Sequence, residues 1–355
     1  MTSDTINAML ASIPFPSLAI DSAERIIAAN ADALTLIGGQ AVGMNYVTIL
    51  RQPALLDTVE ATLRDGMART ARYLANDGAQ DTTYQVSCRA VPDVGQGGIR
   101  ITVLVFEDVT LVEQAGQMRR DFIANVSHEL RTPLTALMGF IETLRGPARE
   151  DRTASDRFLN IMQDEAERMN RLVGDLMSLN RVEGNERVRP TTVVSLVEAI
   201  TSTVQILRPL ADEAGVVLEL ELGDGPVQMQ GDADQLKQVF TNLIENAIKY
   251  GGTGGRVTIS LSTNAREPVL RAPGARVRVT DYGPGIDPVH LPRLSERFYR
   301  GDDHRSRAQG GTGLGLAIVK HIINRHRGRL RVESELGQGA TFTVLLPVQP
   351  ENPTP

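Results

Sequence analysis

The octapeptide SHELRTPL, residues 127–134, puts a nucleophile beside a carboxylate. His128 lies between Val126 and Leu130, and an imidazole that is neutral near pH ~7 offers a ring nitrogen able to attack phosphorus. Glu129 supplies a carboxylate that can hold the ring tautomer or accept a proton as an N–P bond forms. Thr132 stands four residues beyond the histidine, on the same helix face, where its hydroxyl can position water. Pro133 cannot donate to the carbonyl of Glu129, so a bend in the helix is expected there.

Four further motifs follow in the last 160 residues or so. In NLIENAIKY, 242–250, Asn242, Asn246 and Lys249 recur at steps of four and three and share a helix face. Amide oxygens of Asn242 and Asn246 suit a Mg²⁺ ion that keeps several waters, Lys249 suits a phosphate as a point charge, and Tyr250 can lie against a base or ribose. DYGPGI, 281–286, follows the strand-like VRVT; Asp281 is a hydrogen-bond acceptor, and Gly283 and Gly285 leave room for close backbone approach. LSERFYRGDDHRSR, 294–307, reads as a lid whose Arg297 and Arg300 can counter phosphate charge. GGTGLGLAIVKHI, 310–322, runs a loop of Gly311, Thr312, Gly313, Leu314 and Gly315 into a helix, and backbone N–H groups at a helix N-terminus favour anionic phosphates. It does not follow a strand, and GGTGGR at 251–256 lacks the Lys-Ser/Thr pair, so neither a dinucleotide loop nor a P-loop fits.

The octapeptide, within FIANVSHELRTPLTALMGFIETL, resembles the phosphoacceptor motif of histidine kinases. The four later motifs, in order, resemble the ATP-binding domain of the same family, whose wider group includes gyrase and Hsp90-type ATPases. The resemblance implies autophosphorylation of His128 from ATP and Mg²⁺, then transfer to an aspartate of a response regulator. It assigns base catalysis to Glu129, the reverse phosphatase activity to Glu129 and Thr132, and contact with the adenine amino group to Asp281. Gyrase and Hsp90 relatives carry a water-activating glutamate at the position of Asn242; an amide cannot remove a proton, which favours a kinase, although Glu245 nearby leaves hydrolysis open. Within the family the match is to the phosphate-regulon sensor kinases, through FIANVSHELRTPLT, HLPRLSERFYRGDDHRSR with Leu294, and GGTGLGLAIVKHI. That implies a phosphate-regulon response regulator as partner, and a phosphate-transport accessory regulator acting through the N-terminal region. A histidine kinase of another pathway and a non-catalytic dimeric scaffold are the alternatives.

These residues need elements to hold them, and the expected fold is multidomain α+β. Residues 1–113 read as a sensor domain: strands at LAID, RIIAAN, YQVSCRAV and IRITVLVF, a helix over 54–68, a turn at GQGG, 95–98, and EDVT, 107–110, which resembles the end of the last strand of a PAS domain. Over 114–182, Ile123, Val126, Leu130, Leu134, Leu137, Ile141 and Leu144 form one apolar stripe, and Phe158, Met162, Met169, Leu172, Leu176 and Leu179 another, on either side of Gly146 and Pro147. A hairpin with such faces predicts a four-helix bundle made by two chains, a homodimer; packing within one chain is the other outcome. EGNERVRP, 183–190, reads as a linker. Helices at 194–214 and 233–250 with strands at 216–222, 256–262, 276–281, 329–334 and 340–346 make an α/β sandwich over 191–348, and 349–355 reads as a disordered tail.

The formal net charge of −6 in 355 residues excludes a general nucleic-acid surface. A lone cysteine, Cys88, excludes an intrachain disulfide and a cysteine zinc site. With no apolar run of about 18 residues and no secretion signal, the chain reads as soluble and cytoplasmic, with membrane recruitment left open.

Overall fold

The computed structural model describes residues 3–76, 81–91, 101–146, 149, 151–186, 188–223, 225–301 and 311–348. The GQGG turn, lid residues 302–310 and the tail lie outside them. The chain divides into two compact units, Met1–Ala124 and Asn125–Pro355.

The first unit begins with α1 (Ser3–Ala11), β1 (Ser17–Ile20), β2 (Ile26–Ala29), α2 (Ala31–Ile37), α3 (Tyr46–Leu50) and α4 (Pro53–Asp65), followed by β3 (Arg69–Asn76), β4 (Asp81–Val91) and β5 (Ile101–Asp108). The strands form one antiparallel sheet in the order β2-β1-β5-β4-β3. Every residue of β1 is buried because both faces are covered. Leu18 and Ile20 join Leu50, Leu55, Val59, Val86 and Phe106 in one cluster, while Ala19 meets Ile6 and Leu10 of α1 in the other. Pro53 starts α4, and Gly66 at φ 76° ends it, a conformation that favours glycine. Cys88 sits in this core, where burial pushes its thiol up to about 12, the inert state expected of a packed cysteine. The sequence reading missed α1, α2, α3 and β3: in β3 Tyr73 alone is buried, so alternation is faint.

At the end of β5 the chain turns directly into α5 (Thr110–Arg145). Asp108 Oδ1 accepts from the N–H of Thr110 at 2.9 Å, and Thr110 Oγ1 accepts from the N–H of Thr83 at 2.9 Å, so the EDVT segment pins the first turn to β4. Hydrogen bonds from the Thr110 side chain and N–H hold the Asp108 carboxyl below its ordinary range.

In the second unit α5 pairs with α6 (Arg152–Gly184), whose first turn is capped by Asp151 accepting from Ala154 at 3.0 Å. Phe140 and Phe158 stack across the hairpin at 5.4 Å. Helix α5 is continuous through Pro133, which is buried. The segment expected as a linker starts within α6, since the helix runs to Gly184.

Next come β6 (Val193–Ser195), α7 (Leu196–Glu213), β7 (Val217–Leu222), β8 (Gln228–Gln230), α8 (Ala233–Gly251), β9 (Arg256–Glu267), β10 (Ala272–Asp281), α9 (Gly315–Arg325), β11 (Arg329–Glu335) and β12 (Gly339–Pro347). A five-stranded sheet runs β11-β12-β10-β9-β7, with β7 parallel to β9 and the other pairs antiparallel. Its inner face buries Val257, Ile259, Val277, Val279 and Val344 against Phe240, Leu243, Ile244, Ile318 and Ile322 of α8 and α9. The paired strands β6 and β8 were not foreseen; at three residues each they carry no readable period.

His326, fully buried just beyond α9, ties that helix to the start of α8. Its Nε2 must accept, because the partner at 3.0 Å is the N–H of Asp232, and its Nδ1–H must donate to the carbonyl of Ile322 at 2.7 Å. Burial pushes its pKa down, with Ile322 and Asp232 opposing and Arg325 and Arg189 assisting. The folded state therefore refuses a proton that the unfolded chain takes up below about pH 6.5. Stability is expected to fall as pH drops through that value and to level off below the folded pKa. His326→Gln removes this titration, so the gap in denaturant midpoint between parent and variant should narrow from about pH 7 to about pH 5. A gap independent of pH would show that the ring does not contribute.

Candidate functional site

A cavity of about 680 Å³ opens between α8, the DYGPGI loop, the lid, the glycine loop and α6. That is within the range of pockets that bury a small molecule. It gathers Asn242, Asn246, Lys249, Tyr250, Asp281, Gly285, Arg300, Gly311, Thr312, Gly313 and Gly315 from four segments of the chain.

The fixed end is Asp281, at the close of β10 and 6 % exposed. Its Oδ1 accepts from the N–H groups of Gly283 at 3.0 Å and Ala340 at 3.3 Å. Oδ2 has no protein donor among the described residues and is left for a ligand. Burial pushes the carboxyl up, against those backbone bonds. A Cβ on Gly283 would lie 2.6 Å from Gly251 Cα, and one on Gly285, at φ 73°, would lie 2.2 Å from the carbonyl oxygen of Glu335. Both glycines are thus required by close backbone approach, as the motif suggested.

Along α8, Asn242 Nδ2 donates to the carbonyl of Gly315 at 3.5 Å, which joins the helix to the glycine loop. Lys249 Nζ is 3.0 Å from Glu245 Oε2, so its charge is shared with a carboxylate on the same cavity wall. Among the described residues no group of three or more His, Cys, Asp or Glu could hold a metal ion. The amide oxygens of Asn242 and Asn246 fit Mg²⁺ as a partner of phosphate oxygens and water, the usual setting of that ion.

In the glycine loop, Thr312 Oγ1 accepts from the N–H of Leu314 at 3.3 Å and donates to Asp175 Oδ2 of α6 at 2.7 Å. Leu314 is fully buried and does not line the cavity, its side chain being core. Arg171, Gly174 and Asp175 of α6 line the cavity too. Sequence reasoning missed these three, because they lie on the hairpin and nothing local in α6 marks them.

The two lid arginines part company. Arg300 lines the cavity, is 5 % exposed at its side chain, and reaches Glu129 Oε2 at 2.9 Å through Nη2. Its Nε is buried with no partner among the described residues. Arg297 does not line the cavity; it pairs with Glu183 of α6, which His321 also approaches at 3.3 Å. Glu129 in turn lies 3.5 Å from Arg168 of α6. The ring of His128 is exposed on α5, with no hydrogen-bond partner among the described residues, and Thr132 Oγ1 donates to the His128 carbonyl at 3.2 Å. The ion pair between Glu129 and Arg300 therefore joins the phosphoacceptor motif to the cavity wall.

Residues 118–185 match the His Kinase A (phospho-acceptor) domain, and residues 231–350 match the histidine kinase-, DNA gyrase B-, and HSP90-like ATPase. The chain belongs to the sensor histidine kinases. Among similar sensor kinases, the phosphate regulon sensor protein PhoR of Pseudomonas aeruginosa is 42 % identical over 250 residues, covering 69 % of this chain and 54 % of that protein. The sensor histidine kinase WalK of Bacillus subtilis is 38 % identical over 255 residues, covering 72 % and 41 %. The chain thus spans about half the length of these curated relatives. The histidine kinase ThkA, solved in complex with the response regulator protein TrrA, shares the fold at a TM-score of 0.52 and 20 % identity, over 98 % of this chain and 99 % of that one. As in other histidine kinases, a helical phosphoacceptor region precedes a mixed α/β ATP-binding domain. No helix among the described residues is long and apolar enough to cross a membrane.

Proposed function

We propose that this chain transfers the γ-phosphoryl group of ATP to His128 and then to an aspartate of a response regulator. The ion pair from Arg300, in the wall of the nucleotide cavity, to Glu129, the residue after His128, carries the reading. It lets one guanidinium serve both partners of the transfer. When Arg300 turns to phosphate, Glu129 is released beside the ring. The unprotonated ring nitrogen of His128 then forms the N–P bond as the bond from phosphorus to the ADP oxygen breaks, and the proton of the other ring nitrogen passes to Glu129 or water. Bound Mg²⁺, held by Asn242 and Asn246, would neutralise charge on the phosphates. Glu129 and Thr132 serve phosphatase activity toward the regulator, as the octapeptide implies.

The chain works as a homodimer through its hairpin. Leu134, Met138, Ile141, Leu159, Val173 and Met177 remain exposed there, an apolar face that a second hairpin would cover. The first unit is a PAS-like sensor; its core is filled by Tyr73, Phe106, Leu55 and their neighbours, which favours a protein over a buried cofactor as the source of the signal. The phosphate regulon is the pathway, supported by the resemblance to PhoR, with a phosphate-transport accessory regulator acting on the first unit and a cytoplasmic location for both. The domain limits are those read above: sensor 1–113, hairpin 114–182, linker 183–190 and nucleotide domain 191–348.

The test is incubation of the chain with γ-labelled ATP and Mg²⁺. Label stable to alkali and lost in acid is expected, with loss to a phosphate-regulon receiver domain on mixing. Unlabelled protein at every time point would overturn the kinase reading, and preferential transfer to another regulator would overturn the pathway.

A further inference from the structure

Helix α6 places two opposite charges, one turn apart, in the wall of the nucleotide cavity: Arg171 and Asp175. Residues four apart share a helix face, so both meet the same part of the cavity. That part is the phosphate end, because Asp175 Oδ2 accepts from Thr312 of the glycine loop at 2.7 Å. Arg171 is exposed and has no carboxylate within ion-pair distance among the described residues. Asp175 is half-buried, with Glu245, Arg171 and Lys249 as its charged surroundings.

We infer that the phosphoacceptor hairpin supplies two residues to the nucleotide site, Arg171 binding the ATP phosphates and Asp175 competing with them for the glycine loop. The inference rests on the cavity being the ATP site. A carboxylate and a phosphate oxygen are both anionic acceptors, and the hydroxyl of Thr312 has one proton to give. With the site free of nucleotide the carboxylate accepts that hydrogen bond. When phosphates arrive, Asp175 becomes a like charge at short range and Arg171 an opposite one. Burial, the largest cause, pushes the Asp175 carboxyl up and Glu245 adds to it, while the Thr312 hydroxyl, Arg171 and Lys249 pull it down. Asp175 is accordingly a positioning residue: it clasps the loop to the hairpin until nucleotide displaces it.

The signature is a pair of opposite effects that scale with phosphate. In calorimetric titrations of the full chain with Mg²⁺, Arg171→Gln should weaken ATP by about tenfold and Asp175→Asn should tighten it by about tenfold, the usual size of coupling between charged sites. ADP should show smaller shifts of the same signs, and adenosine none. Asp175→Glu, which keeps the charge, should bind ATP like the parent. Equal shifts for ATP and adenosine, or weaker ATP binding by Asp175→Asn, would overturn the inference. Were Asp175→Asn to fail to fold, Arg171→Gln at its exposed position decides alone: unchanged ATP affinity would sink the proposal. A parent chain that binds adenosine and ATP not at all would instead remove the nucleotide-site reading.

Discussion

A His128→Gln chain is expected to bind ATP as tightly as its parent and to take up none of its label. His128 is exposed, does not line the cavity, and its ring makes no hydrogen bond among the described residues, so the change removes a nucleophile and little else. Glutamine suits a helix interior about as well and has a similar reach, but its amide nitrogen carries no lone pair free to attack phosphorus. Incorporation should fall to background, with the calorimetric ATP affinity and the thermal midpoint both kept. Phosphate on the variant, acid-labile as in the parent, would move the acceptor elsewhere. Loss of ATP binding along with label would mean that the histidine shapes the nucleotide site.

Asp281→Asn should cost ATP affinity about a hundredfold, or about 2.8 kcal/mol, the upper part of the range for a buried polar mismatch. The carboxylate uses Oδ1 for Gly283 and Ala340 and keeps Oδ2 for the ligand. An asparagine can satisfy one side but not both. If its oxygen keeps the backbone bonds, its NH₂ group faces the adenine amino group, donor against donor; flipped, it leaves two N–H groups without an acceptor. Inosine triphosphate, which presents a carbonyl in place of the amino group, should therefore lose less affinity to the variant than ATP does. Equal loss for the two nucleotides would remove Asp281 from base recognition, while a lowered thermal midpoint would report the backbone bonds.

What the chain discloses before folding divides along a physical line. His128, Asp281, Gly283 and the glycine loop are legible because their chemistry is local: a nucleophile with its neighbours, or a backbone that tolerates no Cβ, as at Gly285 against Glu335. The long amphipathic helices and the inner strands of the second sheet follow from period alone. Arg171 and Asp175 were invisible because their partners, the cavity and Thr312, lie far along the chain. The same holds for Arg297, read as a phosphate ligand and found on Glu183. Charge type can be read from sequence; which opposite charge it meets is decided by tertiary packing. Short elements such as β6 and β8 fail for a different reason, having too few residues for any pattern to emerge.

The contacts between the nucleotide domain and the hairpin include two ion pairs, Arg300 with Glu129 and Arg297 with Glu183, beside the hydrogen bonds between His321 and Glu186, Thr312 and Asp175, and Ser178 and Gln238, and the packing of α6 against α9. A partly exposed pair such as Arg297 with Glu183 contributes about 0–1 kcal/mol, and dissolved ions screen it over a Debye length of about 8 Å at physiological strength. That part of the attachment lets go readily. A histidine that must be filled at one surface and emptied at another needs a holder that releases it between the two, and ionic strength itself becomes a dial on how long the holder stays.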